Sequence, residues 1–180
     1  MMASTFDVAM NWLVGVEGGF SADPDDPGNW SGGELRGTRY GISAARYPDL
    51  DIASMTLEQA KVLYRRDYWG RYRCGELPAP LGVALFDAVV QHSPRQAIRL
   101  LQDAVGAATD GLLGPATLAA ANDADRHLAA RLFLRNRLGY YHRIMVRRRS
   151  LEKFLRGWFD RVLRLEAFLI HHQLMEARYD

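Results

Sequence analysis

A single cysteine, Cys74, among 180 residues excludes an internal disulfide and any cysteine-based metal site. The thiol reads as a small packed or half-exposed group. No run approaches the roughly 18 apolar residues needed to span a bilayer. The opening stretch "MMASTFDVAMNWLVGVEGGF" has no basic n-region, and Asp7 and Asn11 interrupt its apolar residues, so no signal peptide is expected. There is no sustained apolar–polar alternation, no low-complexity run, no repeat and no linker. His142, His171 and His172 form no metal set, because neighbouring helical positions point to different faces. The acidic "DPDDPG" does not match the spacing of a calcium loop. No nucleic-acid motif combines basic and aromatic residues. The expectation is one compact domain over residues 1–180, with no metal, no cofactor and no nucleic-acid partner.

The net charge of +2 conceals an asymmetry. Residues 1–125 hold 10 Lys+Arg against 16 Asp+Glu, whereas residues 126–178 hold 13 against 4. A basic tail of this kind can meet an anionic envelope surface, dock on the acidic front half, or remain a solvated face. Arg147, Arg148 and Arg149 stand just before its last helix.

Helical periodicity dominates the chain. Residues 6–17 read as a helix capped by Ser4 or Thr5, with Phe6, Met10, Leu13 and Val14 as its buried stripe and Gly18-Gly19 as its stop. Residues 21–37 look irregular, and "TRYGIS" at 38–43 is the best short-strand candidate. Thr56-Leu57-Glu58-Gln59 is a capping box opening a helix to about Trp69. "PLGVALFDAVVQH" reads as the most buried helix. Ser93-Pro94-Arg95-Gln96 is a second capping-box pattern, on a helix ending at Gly106. A short helix from Pro115 and two long ones, over 126–146 and 151–176, complete the chain. In the last, Leu151, Phe154, Leu155, Trp158, Val162, Leu165, Leu169 and His172 recur at helical spacing. The fold class is mainly α, with a small irregular or β insert near residues 20–45.

Glu17 stands out. It falls in the last turn of its helix, where backbone carbonyls present partial negative charge. That charge, and an apolar wall from Trp12, Val16 and Phe20, would raise its pKa. A glutamate so placed can donate a proton near neutral pH, as glycosidase general acids do. The two glycines after it leave room for a substrate chain close to the backbone. A second polar group is available nine positions on: Asp26 sits in a loop where solvent and backbone N–H groups favour a carboxylate, with Asp23 and Asp25 as competitors.

The motifs "EGGF", "DPDDPGNWSGG" and "GTRYGIS" resemble the N-terminal signature of glycoside hydrolase family 108, which comprises phage endolysins and related bacterial muramidases. The matching positions are Glu17, Gly18, Gly19 and Phe20, then Asp23, Pro24, Asp26, Pro27 and Gly28, then Thr38, Tyr40, Gly41, Ile42 and Ser43. The stretch from Asn29 to Gly37 is longer than in the family pattern. Farther on, "FDAVVQHSPRQAIRLLQDAVGAATDGLLGPATLAA" is similar to the peptidoglycan-binding region that accompanies this signature. Asp110-Gly111, Gly114-Pro115, Thr117 and the later "RGWFDRV" are its specific parts. Gln91-His92-Ser93 stands where the family usually has residues like Asn-His-Gly. The resemblance divides the domain into a signature region, 1–75, and a helical peptidoglycan-binding-like region, 76–180.

The resemblance implies a lysozyme-like helical fold. It also implies cleavage of the β-1,4 bond between N-acetylmuramic acid and N-acetylglucosamine in peptidoglycan. Glu17 would be the general acid, Asp26 would position water or stabilise charge on the sugar ring, and Thr38 would help hold the water. Trp30, Tyr40, Ser43, Tyr68, Asp87 and Gln91 are the candidate substrate-binding residues, with Trp69 as a further aromatic. Two other readings stand beside hydrolysis: a lytic transglycosylase giving 1,6-anhydro products, and a cell-wall binding module without catalysis. As an endolysin the protein is expected to be a monomer. It would stay in the host cytoplasm until a holin-type partner releases it to the wall.

Overall fold

The computed structural model describes residues 4–16 and 19–176. Seven α-helices dominate the described residues, with five two-residue strands between the first and second helices. The expected class, mainly α with a small β insert, is the one observed. The chain divides into two compact units, one formed by Met1–Ala9 with Tyr68–Asp180, the other by Met10–Asp67. The division falls within α1 (Thr5–Val16). Ser4 caps that helix: its Oγ accepts from the Asp7 N–H.

The larger unit is helical. Its centre is α3 (Ala79–Gln91), where every residue from Pro80 to Val89 is buried, as the apolar run predicts. It packs on α4 (Pro94–Ala104) and on α6 (Arg126–Arg147). Gly82 allows α3 to lie against the preceding segment, since a Cβ there would overlap the Cys74 carbonyl. Cys74 is fully buried, and burial pushes its thiol up to about 12. It is a packed, unreactive group. Phe6, Trp69 and Phe86 meet edge to face, with centroids 5.5 to 6.2 Å apart.

The second capping box does not form. Ser93 makes no side-chain cap, and Pro94 at the first position starts α4 with the Gln96 and Ala97 N–H groups donating to the Ser93 carbonyl. The Asp110-Gly111 motif has a structural explanation in Gln102, a buried residue of α4. Gln102 Nε2 donates to Asp110 Oδ1 (2.7 Å), the Leu112 carbonyl (3.0 Å) and Thr117 Oγ1 (3.1 Å). Its Oε1 accepts from the Gly111 N–H at 2.8 Å. One amide side chain therefore fixes the turn that leads into α5 (Pro115–Asp123).

Asp125 caps α6 by accepting from the His127 and Leu128 N–H groups. At 22 residues, α6 is about 33 Å long. The last helix, α7 (Glu152–His171), is shorter than expected and buries a narrower stripe. Val162, Leu165 and Leu169 are in the core, but Phe154 and His172 are exposed. Trp158 is half-buried and stacks on Tyr141, with centroids 5.0 Å apart.

Asp87, in the middle of α3, ties these helices together. Its Oδ2 accepts from Arg137 Nη2 of α6 at 2.6 Å. Its Oδ1 accepts from Arg161 Nε and Nη2 of α7 at 3.0 and 2.8 Å. The sequence suggested a cleft-lining residue; instead Asp87 is wholly buried with both oxygens engaged. Asp87→Ala strands two guanidinium groups in the core and should cost about 3–5 kcal/mol, read by urea denaturation. A loss below about 1 kcal/mol would show that the pairing does not hold the helices.

Candidate active site

The smaller unit carries most of the residues singled out by the sequence. Strand β1 (Phe20–Ser21) leads into an acidic loop and a 3-10 turn, Pro27–Asn29. A tight hairpin of β2 (Trp30–Ser31) and β3 (Glu34–Leu35) follows. "TRYGIS" is not one strand but a hairpin of β4 (Thr38–Arg39) and β5 (Ile42–Ser43). Its turn puts Tyr40 at φ 51° and Gly41 at φ 74°, the left-handed pair that a two-residue hairpin requires. Gly37 is constrained more severely: φ is 83°, and a Cβ would come within 2.5 Å of the Phe20 ring.

The sheet register sets the hydroxyl residues side by side. In the order β1-β4-β5, Thr38 pairs with Ser21 on one side and Ser43 on the other. Directly paired residues share a face, so the three form a row across the sheet. Ser21 was not foreseen, and only the strand pairing reveals it. Gly28 brings the acidic loop to this row. A Cβ on Gly28 would lie 3.1 Å from Asp26 Oδ1 and 3.6 Å from Ser43 Cβ, and its carbonyl accepts from the Ala45 N–H. Asp26, Ser43 and Thr38 are thus brought together.

Two of the three carboxylates in the loop, those of Asp26 and Asp23, have a local task. Asp26 Oδ1 accepts from the Gly28 N–H at 2.8 Å, capping the 3-10 turn, and the residue is exposed. Asp23 Oδ1 accepts from the Asp25 N–H at 2.9 Å. The loop is anchored by Asn29, a second residue that the sequence did not single out. It is fully buried, its Nδ2 donates to the Asp23 carbonyl, and its carbonyl accepts from the Arg36 and Gly37 N–H groups.

Trp30 is 40% exposed, and its Nε1 donates to the Pro24 carbonyl at 2.9 Å. The indole is therefore held in place while its surface remains available. Tyr40 is half-buried, with the Arg39 guanidinium 5.5 Å from its ring centroid and its carbonyl accepting from the Tyr64 hydroxyl. The Tyr64 bond ties the hairpin to α2 (Leu57–Tyr64), whose Thr56–Gln59 capping box forms as expected. A π-helical segment, Arg65–Gly70, continues from α2. Glu17 and Gly18 lie outside the described residues.

The other candidates belong to the helical unit. Tyr68 and Trp69 are buried, at 8% exposure each, so neither offers a face to a sugar as expected from the sequence. Gln91 is exposed, and its Oε1 accepts from the Tyr141 hydroxyl at 3.5 Å. Beside it, His92 packs on Tyr140 and Tyr141, and its Nε2 is shut off from solvent without a hydrogen bond among the described residues. Burial, then the positive charge of Arg137, pushes the His92 pKa down to about 3, with Asp87 opposing and Arg161 adding to the fall. Among the described residues no three His, Cys, Asp or Glu side chains cluster to hold a metal ion.

Residues 10–92 match the family described as Glycosyl hydrolase 108, and residues 96–163 match the Predicted Peptidoglycan domain. Among solved structures, the chain is similar to SagA of Brucella abortus, with 26% identity and a TM-score of 0.75, over 97% of this chain and 98% of that one. No curated protein matches the chain.

His92 generates a pH dependence. Its folded pKa lies below the ordinary 6.5, so between about 6.5 and 3 the unfolded chain binds a proton that the native state lacks. Stability should fall as pH falls through that window, by up to about 1.4 kcal/mol per unit. Denaturation curves across it should show a shallower decline for His92→Gln than for the parent; parallel declines would overturn the assignment.

Proposed function

We propose that the chain, which is a glycoside hydrolase acting on peptidoglycan by the match of residues 10–92 to glycosyl hydrolase 108 and of residues 96–163 to a peptidoglycan domain, is a muramidase with Glu17 as general acid. The bond cleaved is the β-1,4 link between N-acetylmuramic acid and N-acetylglucosamine. Glu17 protonates the leaving glycosidic oxygen as the bond to the sugar C1 breaks. Water adds to C1 from the opposite face, and the Asp26 carboxylate takes its proton. Thr38, with Ser21 and Ser43 beside it, orients that water. Trp30 and Tyr40 offer faces to the sugar rings.

One observation supports this reading: Gly28 lies close to both Asp26 Oδ1 and Ser43, and Ser43 pairs with Thr38, within the segment that matches the glycoside hydrolase family. A carboxylate next to hydroxyl groups can hold and deprotonate a water, which favours hydrolysis over a transglycosylase, where the sugar's own hydroxyl closes the ring. A single displacement by water inverts the anomeric centre, and the carboxyls of such a pair stand roughly 6.5–9.5 Å apart. The resemblance to endolysins supports a monomeric lysis enzyme released to the wall from the host cytoplasm.

Glu17→Gln keeps shape and hydrogen bonding but cannot supply the proton. It should lower the rate on purified peptidoglycan by about 10²–10⁴ while circular dichroism stays that of the parent. Mass spectrometry of the parent's products should find reducing muramic acid ends. A folded variant at near-native rate would remove Glu17 from its role, and 1,6-anhydro ends would establish transglycosylation instead.

A second contact is supported by the exposure of Arg147, Arg148 and Arg149 at the end of α6. We propose that they hold anionic envelope material. Replacing all three by Glu should leave stability within about 1 kcal/mol, because exposed charges contribute little. Retention on envelope fragments should weaken, and added salt should shrink the difference. Equal retention at low salt would reduce these arginines to a solvated face.

A further inference from the structure

Apart from the acidic loop and its sheet, the helical unit holds a groove of about 510 Å³. One wall is Arg71, Tyr72 and Arg73, which follow the π-helical segment. The other is the first turn and a half of α4, with Arg95 and the buried Ile98, and the floor is closed by the Gly111–Leu113 turn. The first wall comes from the stretch matching the glycoside hydrolase family, and Ile98 and the floor come from the stretch matching the peptidoglycan domain.

Both walls present guanidinium groups. Arg73 is committed internally: Nε and Nη2 donate to Glu76 at 2.7 and 2.6 Å, and its backbone sits at φ 49°, a left-handed conformation unfavourable for a non-glycine residue. That pairing neutralises Arg73 and fixes the turn that carries Arg71 and Tyr72. Arg71 lies 5.9 Å from the Tyr72 ring centroid and makes no ion pair among the described residues. Arg95 is positioned by the Gly111 turn, because a Cβ on Gly111 would come within 2.5 Å of Arg95 Cγ. The nearby Asp110 carboxylate is occupied by Gln102 and the Leu112 N–H. Two exposed guanidinium groups therefore face a groove whose other surfaces, Ile98, Leu113 and the 67% exposed Leu112, are apolar. The choice of base fits the same chemistry: of 23 basic residues only two are lysines, and the planar guanidinium is the group that grips carboxylates in two-point fashion.

We propose that this groove takes the peptide stem of peptidoglycan, with Arg71 and Arg95 binding its carboxylates and the apolar floor receiving its alanine methyl groups. A glycan strand whose stem has been removed keeps only the lactyl carboxylate, held against the sugar, whereas the stem carries several carboxylates spaced along a peptide, so the groove distinguishes cross-linkable, peptide-bearing strands from bare ones. The proposal rests on peptidoglycan being the partner, but not on which residue is the general acid.

The test uses the full chain and two probes: a disaccharide bearing a tetrapeptide, and the same disaccharide without peptide. Both disaccharides are N-acetylglucosamine-β-1,4-N-acetylmuramic acid with muramic acid at the reducing end, so neither has the bond at muramic acid C1 assigned above for cleavage, and titration calorimetry at low salt reads binding alone. The peptide-bearing probe should bind about fivefold tighter, the worth of two partly exposed ion pairs. Arg71→Gln with Arg95→Gln should abolish that preference and leave the thermal midpoint and the hydrolysis of peptide-free glycan strands unchanged. Arg156→Gln, at an exposed position on α7, should keep the preference. Equal binding of both probes by the parent, a double variant that keeps the preference, or an equal loss with Arg156→Gln would each overturn the proposal. A parent that prefers the peptide-bearing probe yet cleaves no glycan strand would sustain the groove and overturn the muramidase reading instead.

Discussion

Two guanidinium groups share one carboxylate at the centre of the helical unit, and α3, α6 and α7 are arranged around that sharing. Burying three charges is expensive, and pairing two cations with one anion leaves the site positive. Arg137 Nε and Nη1 are shut off from water and have no hydrogen-bond partner among the described residues. Burial first, and then this surplus charge, keep His92 neutral beside it. The surplus also explains why the pair is better understood as selecting one packing than as adding net stability. A slip of α7 by one residue would carry Arg161 off Asp87, whereas the apolar neighbours Val162 and Leu165 would tolerate small adjustments far more readily.

Helix starts and stops were legible because they are local. Thr56 and Gln59 are three residues apart, and their reciprocal bonds need nothing else. Ser93 and Gln96 have the same spacing, but there Pro94 starts the helix and the Ser93 backbone carbonyl receives the N–H groups. "TRYGIS" has the composition of a strand, and the sequence does not announce that Tyr40 takes a left-handed conformation usually left to glycine or asparagine. Asp87 was misread for a different reason. A carboxylate one turn before a glutamine looks the same on a helix whether it faces a cleft or a buried arginine, and its partners lie 50 and 74 residues away.

Among the acidic residues of the loop the sequence already singled out Asp26, with Asp23 and Asp25 as competitors. The hydroxyl row near it was not legible, since Ser21, Thr38 and Ser43 come from three separate strands and only their pairing makes a row. The two matched segments, by contrast, do not follow the compact units. The first ends just past α3 and the second begins within α4, yet those helices pack on each other. The apparent boundary at residues 93–95 therefore crosses a shared core, and the peptidoglycan region is not a detachable appendage.

The tether from Trp30 Nε1 to the Pro24 carbonyl has an optical consequence. Trp12 and Trp69 are buried and Trp158 is half-buried, so among the four tryptophans Trp30 has the most accessible ring. A chromophore open to solvent but restrained by its own hydrogen bond emits at long wavelength and tumbles with the loop rather than independently. Its colour and anisotropy report on that surface separately from the interior, giving the acidic loop a native reporter that needs no label.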